Sequence, residues 1–527
     1  MLDSRMLTRH PVVRIASIRL TRMRTGFLGA LASSLIVAAA CSPDHPPHPP
    51  PNVILITIDA LRADFLSYAG HPHRTSPCLD ALARDNVVFT QAVTSYPGTA
   101  QAMPSLMTGL FPSFEDAERW SQFANNGFIE FKAPEERKRQ GISSNLRMLA
   151  EILSDHGYRT LGFHTNPYVS EAWNFNQGFD EYVEFKGYLK RQQKTRSHHL
   201  NGRYPPAGVV VKRVLGRLDQ GLEPPFFLWI HLMEPHSPYL PPDRFARMFP
   251  RAYTDLSDLE VNESVYHLLH AQWGDLEKAA RYPSPEDRGQ DREALFDHVR
   301  GLYEGEIRYC DRQLCRLFEA LQEHSLWDDS LAMVTADHGE EFLDHGYVMH
   351  HQLSGLTEEH IRIPLILKLP SGGPSGEIID GVVRMVDFAP TILDFAGLEG
   401  ESAPMEGVSL RPMIEGRDSP ALTAHISSIL FGVVRDSRWK YRINKQPQED
   451  GEPTERLFDI VADPMERTDL STDRPEVLEK MRQRYRNHVE HLRARAAPAE
   501  AGAVVEGGDI DPETAERLEA LGYANDG

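Results

Sequence analysis

The apolar positions of this chain fall into two alternating kinds of segment. "NVILITIDA" (Asn52–Ala60) is a short, strongly apolar run that turns charged only at its end. It lacks the period of two expected where one sheet face meets water, so it predicts a buried parallel strand. Similar runs recur at "TLGFH" from Thr160, "PFFLWIHLM" from Pro225, "SLAMVTAD" from Ser330 and "IPLILKL" from Ile363. Between them lie stretches with apolar residues three and four apart, as in "SPCLDALARD", "NLRMLAEILSDHG" and "RQLCRLFEALQEH". Residues at that spacing share one face of a helix. The alternation predicts an α/β fold: a doubly wound, mainly parallel sheet flanked by helices. The stretch from about Asp255 to Arg292 is acidic with little period, and reads as an insertion over one edge. After Gly416 the pattern changes to short strands, "LFGVVRDSRWKYRIN" and "ERLFDIV", and then one helix, "RPEVLEKMRQRYRNHVEHLRAR". This predicts a smaller C-terminal antiparallel sheet with a helix packed on it.

The N-terminus reads differently. Arg5, Arg9, Arg14, Arg19, Arg22 and Arg24 precede the uncharged "GFLGALASSLIVAAA" (Gly26–Ala40), too short for a comfortable membrane span but suited to a secretory signal. "AAAC" resembles the bacterial lipobox, which would make Cys41 the lipidated new N-terminus. The expected organisation is a lipoprotein-type signal at 1–41, a proline-rich linker at 42–51, a main domain at 52–415, a C-terminal α+β subdomain at 416–495 and a tail at 496–527. Its expected location is the cell envelope, on the periplasmic or surface side, with membrane contact through the lipid anchor only.

Charge narrows the partners. The 527 residues carry a net charge of −20, and without the first 41 residues 50 basic side chains face 75 acidic ones. Such a balance argues against nucleic acid as a partner. Three cysteines remain beyond Cys41. Cys310 and Cys315, five apart in one helical pattern, point to different faces, so no disulfide scaffold is expected and they read as core residues.

Candidate chemistry collects at strand ends, where ligands bind in open α/β sheets. Asp59 ends the first strand run, Asp337 ends "LAMVTA" and is followed by His338, and Glu234 and His236 follow "FFLWIHLM". Two carboxylates, an imidazole and a hydroxyl can form a metal site in which the cation acidifies the hydroxyl. Thr99, in "TSYPGTAQAMPSLMTGLFPS" (Thr94–Ser113), supplies a hydroxyl where turn residues meet an apolar run. It is either a helix cap or a nucleophile on a helix start, and Pro104 suggests a helix that is kinked or begins later.

These motifs together resemble the sulfatase family of the alkaline phosphatase superfamily. "NVILITIDALRADFLSYAG", "TSPCLDALARDNVVFTQAV", "MEPHSPYLPP", "ADHGEEFLDHG", "TEEHIRIPLIL", "RLFDIVADPMERTDL" and "RLEALGY" carry the resemblance, which runs from Asn52 to about Leu470 and returns in the last residues. It implies a metal-dependent ester hydrolase acting on an anionic ester (a small molecule, glycan or lipid headgroup), with Asp59, Thr99, Asp337 and His338 holding the metal. His236 matches a substrate-contacting histidine, and His350 keeps the spacing of a substrate-side histidine in the phosphoethanolamine transferases. The neighbouring His351 could serve instead. His345 reads as ordering its loop, and His231 as a satisfied core histidine.

Two departures matter. The family's nucleophile is a Cys or Ser matured to formylglycine, in a Cys-x-Pro-Ser-Arg motif ten residues before the glycine of a Thr-Gly pair. Counting back from Gly109 gives Thr99, with neither the Pro-Ser nor the Arg; Ser95 and Ser105 break the spacing. Threonine serves phosphoryl-transferring relatives, so a phosphoric ester is expected ahead of a sulfuric one. The second departure is Asp59-Ala60 and Asp337-His338, where calcium-dependent sulfatases have Asp-Asp and Asp-Asn. Exchanging oxygen for imidazole favours zinc or manganese over calcium. The alternatives are a phosphoryl-group transferase and an inactive protein that only binds anionic glycans.

Overall fold

The computed structural model describes residues 49–112, 142–185, 204–350, 355–445 and 454–496, apart from a few single positions. The expected signal, the lipidated Cys41, linker residues 42–48, His351 and the tail beyond 496 lie outside the described residues.

The main sheet has eight strands. In chain order they are β1 (Asn52–Ile58), β2 (Val87–Val93), β3 (Arg159–His164), β4 (Glu181–Glu184), β5 (Phe226–Leu232), β6 (Ser330–Ala336), β7 (Arg362–Lys368) and β8 (Ile378–Arg384). Their spatial order is β4-β3-β5-β1-β6-β7-β2-β8. β1 lies between β5 and β6 with all seven side chains buried, which explains its unbroken apolar sequence. The expected parallel sheet holds except at β7, which runs antiparallel to both β6 and β2. "IPLILKL" is buried on both faces, and a run buried on both faces carries no sign of its direction.

The helices that bear on the site are α1 (Pro77–Asp85), α2 (Thr99–Thr108), α3 (Leu149–Asp155), α4 (Ala207–Leu218), α5 (Asp258–Gln272) and α6 (Arg292–Glu323). The helix α2 begins at Thr99 in spite of Pro104, so the later start does not occur. It ends at Gly109, whose φ of +67° suits glycine and where a Cβ would run into Met405. Within the stretch from Asp255, read as having little period, α5 buries Val261, Val265, Leu268 and Leu269 at helical spacing. Asn262 on the same helix brackets the Tyr239 backbone, accepting from its N–H at 2.7 Å and donating to its carbonyl at 2.9 Å. Asp258 and Glu260 before Val261, and Glu263 after it, mask the period in the sequence.

A second correction concerns the cysteines. Cys78 at the start of α1 and Cys315 on α6 form a disulfide, with Cα atoms 5.6 Å apart and a sequence separation of 237. The sequence comparison of Cys315 with Cys310 could not reveal a partner that only the packing of α1 on α6 supplies. Cys310 is buried and free, as expected. Beyond the main sheet, β9 (Ala424–Ser427), β10 (Phe431–Arg435), β11 (Trp439–Asn444) and β12 (Glu455–Asp459) form an antiparallel sheet, ordered β12-β11-β10-β9. The following helix, α7 (Pro475–Ala496), packs Met481, Tyr485 and Val489 against Val434, Tyr441 and Leu457 of this sheet.

Candidate active site

The carboxyl ends of β1 and β6 are adjacent, which brings Asp59 and Asp337 together. Both are fully buried. Ala60, at φ +53°, turns the chain sharply after Asp59 and donates its N–H to Asp337 Oδ1 at 3.1 Å. A positive φ at a residue other than glycine costs about 1 kcal/mol or more, so this turn is held by its surroundings. Tyr303 of α6 holds it from behind, donating its hydroxyl to the Ala60 carbonyl at 2.7 Å.

Thr99 reaches the same point from α2. Gly98 is the N-cap residue and no side chain caps the helix, so Thr99 is not a cap. Its hydroxyl donates to Asp337 Oδ2 at 2.7 Å and lies 3.4 Å from Asp59 Oδ2. Asn166, two residues past β3, donates its amide to Asp59 Oδ2 at 2.6 Å and to the Thr99 hydroxyl at 3.2 Å. The sequence reading missed Asn166. The strand-end rule that found Asp59 and Asp337 could have found it, had it been applied to β3.

His338 follows Asp337 directly. Its Nδ1 faces the Gly339 carbonyl at 2.8 Å, which can only accept, so Nδ1 carries the hydrogen there. Its Nε2 lies 3.6 Å from both Asp59 Oδ1 and Asp337 Oδ2. Gly339 is required next, because a Cβ would collide with the Glu359 carbonyl oxygen. Among the described residues, Asp59 Oδ1 and His338 Nε2 are buried without a hydrogen-bond partner. Buried polar atoms are nearly always satisfied, so two orphans facing one point fit a cation bound between them. Asp59, Asp337 and His338 each offer a ligand atom, all within 4.8 Å of one another. The donor set of carboxylate oxygens and one imidazole is that of a divalent metal site.

The electrostatics agree with this grouping. Burial works to raise the Asp59 carboxyl, but the imidazoles of His236, His231 and His338 outweigh it and hold Asp59 well below the usual range. Burial, aided by the charge of Asp59, pushes Asp337 up instead. Burial also works to lower His338, but the two aspartates overcome it and raise the imidazole.

The other histidines divide into two groups. His236, His350 and His338 stand in a row, with ring centroids 4.9 Å apart for the first pair and 4.2 Å for the second. His236 donates from Nδ1 to the Ser237 carbonyl at 2.6 Å. His350 faces Glu340 from Nδ1 at 3.2 Å, and Tyr239 donates to the same carboxyl at 3.0 Å. Burial pushes Glu340 up to about 7. His231 is buried as expected, yet it is also part of the site: Nδ1 meets the Thr57 hydroxyl at 2.8 Å and Nε2 meets Asp59 Oδ2 at 3.2 Å. His345 stands apart from the row. Its Nδ1 lies 3.1 Å from Glu341 and its Nε2 is 2.8 Å from the Met465 carbonyl, which ties its loop to the C-terminal part. Glu234 points away from the row, accepting the Ala207 N–H at the start of α4 at 2.9 Å.

The sulfatase family model matches residues 51–398, about two thirds of the chain. The chain belongs to the sulfatase family. A second family model, N-sulphoglucosamine sulphohydrolase C-terminal, matches residues 345–495. Similar proteins include an arylsulfatase of Clostridium perfringens, 25% identical over 494 residues that cover 84% of this chain and 93% of the relative. The multifunctional alkaline phosphatase superfamily protein PehA of Trinickia caryophylli is 26% identical over 408 residues, covering 70% and 78%. Among solved structures, the phosphonate monoester hydrolase of Agrobacterium radiobacter superposes with a TM-score of 0.61 at 21% identity, over 84% of this chain and 96% of that one. This sulfatase-family chain is therefore a hydrolase acting on ester bonds, from a family of metal-dependent enzymes, and it carries a candidate metal-binding cluster.

Proposed function

We propose that this sulfatase-family hydrolase cleaves a phosphoric ester in preference to a sulfuric one, with Thr99 as nucleophile and a covalent phosphothreonine intermediate. One observation carries the reading: the residue ten before Gly109 is a threonine, and its hydroxyl donates at 2.7 Å to a carboxylate of the metal-type cluster. A threonine cannot become formylglycine, so the route by which an aldehyde hydrate sheds sulfate is closed. A phosphorylated hydroxyl, in contrast, can be resolved by direct attack of water.

A zinc- or manganese-class cation held by Asp59, Thr99, Asp337 and His338 would act as a Lewis acid, lowering the hydroxyl pKa and drawing charge from the phosphoryl oxygens. The chain's own groups do the rest. Asn166 and Asp337 fix the rotamer of Thr99 between them. The Thr99 proton passes to water as the hydroxyl ionises. The Oγ1–P bond forms, the P–O bond to the leaving group breaks, and His236 or His350 protonates the departing oxygen. Water then attacks the same phosphorus and the Thr99 oxygen departs, recovering its proton. The start of α2 faces the reacting anion with the positive end of its dipole.

The test is turnover of matched aryl phosphate, phosphodiester, phosphonate and sulfate esters with added Zn²⁺ or Mn²⁺. Phosphoryl substrates should lead. Robust sulfate turnover by the unmodified Thr99 protein overturns the substrate assignment. Phosphorylated glycerol appearing when glycerol is added as acceptor would favour the transferase alternative.

A further inference from the structure

A second group of ligand-type side chains shares no residue with the active site. His71 and His73 lie on the segment between β1 and α1, and Glu304 lies on α6. His71 Nε2 is 2.9 Å from Glu304 Oε1 and His73 Nδ1 is 2.8 Å from Glu304 Oε2. Glu304 is only 5% exposed, and among the described residues no Lys or Arg pairs with it. Both its oxygens are thus given to two imidazoles. The three ligand atoms lie within 4.8 Å of one another.

We propose that His71, His73 and Glu304 form a second metal site, taking a zinc-class divalent cation. Two nitrogen donors and one carboxylate exclude the oxygen-seeking Ca²⁺ and Mg²⁺. Tetrahedral zinc with bonds of about 2.0–2.1 Å needs donor atoms roughly 3.3 Å apart, which small rotations of these side chains supply. The ring of His73 is 40% exposed, so water can complete the coordination from that side. Each imidazole would shift its hydrogen to the nitrogen away from Glu304, the cation replacing the two hydrogens that now lie between them.

The site would clamp the chain after Asp59 to α6. His71 stacks on Phe65 with centroids 4.8 Å apart, and Phe65 meets Tyr303 edge-on at 5.0 Å. Tyr303 in turn holds the Ala60 turn. The clamp and the active site are therefore joined through two aromatic side chains.

The experiment compares full-length wild type with His73→Ala and with Glu304→Gln. All are stripped with a chelator and dialysed against about 10 µM free Zn²⁺, and bound zinc is counted by elemental mass spectrometry. Asp59, Asp337 and His338 are intact in every chain, so the difference reads this site alone. His73→Ala removes a half-exposed ring and is checked for native circular dichroism. Each variant should bind one equivalent less than wild type, and tetrahedral Co²⁺ absorption should fall in parallel. Equal zinc stoichiometry in wild type and His73→Ala overturns the proposal, leaving two ordinary histidine–glutamate pairs.

Discussion

Thr99→Ala separates a nucleophile from a structural hydroxyl, and the two roles predict effects of different size. The substitution removes the donor to Asp337 at 2.7 Å and the acceptor for Asn166 at 3.2 Å. A hydrogen bond to a charged group contributes about 1.5–3 kcal/mol, so the variant should lose about that much stability, a Tm decrease of a few degrees. If the hydroxyl only held Asp337 in position, activity would fall modestly. If Thr99 forms the covalent intermediate, kcat/KM should fall by at least about 10³, equivalent to roughly 4 kcal/mol of transition-state stabilisation. The assay is hydrolysis of an aryl phosphate or phosphonate with saturating Zn²⁺ or Mn²⁺, alongside thermal unfolding and metal content. Thr99 is itself assigned to the metal, so saturating cation is used to keep the variant loaded through Asp59, Asp337 and His338, and the measured metal content checks it. Thr99→Ser should keep measurable activity. Thr99→Cys, lacking the Pro-Ser-Arg context, should not be matured and should not become a good sulfatase. If Thr99→Ala, folded and metal-loaded, retains more than about a tenth of wild-type kcat, the nucleophile assignment is refuted.

Asp59→Ala, Asp337→Ala and His338→Ala should each lose bound metal while keeping a native circular dichroism spectrum; full occupancy in all three would sink the metal assignment. His236→Ala should instead keep the metal and lose turnover by about 10². Burial pushes Glu234 up to about 7 from an ordinary 4.5, so the folded protein holds a proton that the unfolded chain releases, and stability should fall as pH rises from about 4.5 to 7. Glu234→Gln removes that dependence and can still accept from Ala207, so its Tm advantage over wild type should be larger at pH 8 than at pH 5; an advantage equal at both pH values would contradict the burial argument.

Much of the fold was legible because the strands that build the site are buried on both faces and announce themselves as apolar runs. The same property hid the direction of β7, since "IPLILKL" reads alike either way. The helix α5 was missed because Asp258 and Glu260 stand in its first turn and Glu263 follows Val261, and this charge density overrode the period of Val261, Val265 and Leu268. At the site, Asp59, Asp337 and His338 stood out as charged residues directly ending apolar runs. Asn166 lay within reach of the same strand-end rule but is an uncharged amide two residues past β3, whereas His231, an imidazole within a strand, acquires meaning only from what lies across the sheet. Asp59 Oδ2 is that meeting point. The Cys78–Cys315 bond belongs to the same class, since it depends on packing across 237 residues.

That bond also closes a covalent ring. Every residue from 79 to 314 lies inside it, including β2 to β5, Thr99, Asn166 and His236. A protease that cuts once anywhere in this stretch produces two chains that stay joined through sulfur. Nicked protein would run as one species until reduced, and the two halves of the active site, Asp59 on one side of such a cut and Asp337 on the other, could not diffuse apart. The ring thus converts a chain break, ordinarily a loss of the molecule, into a local event.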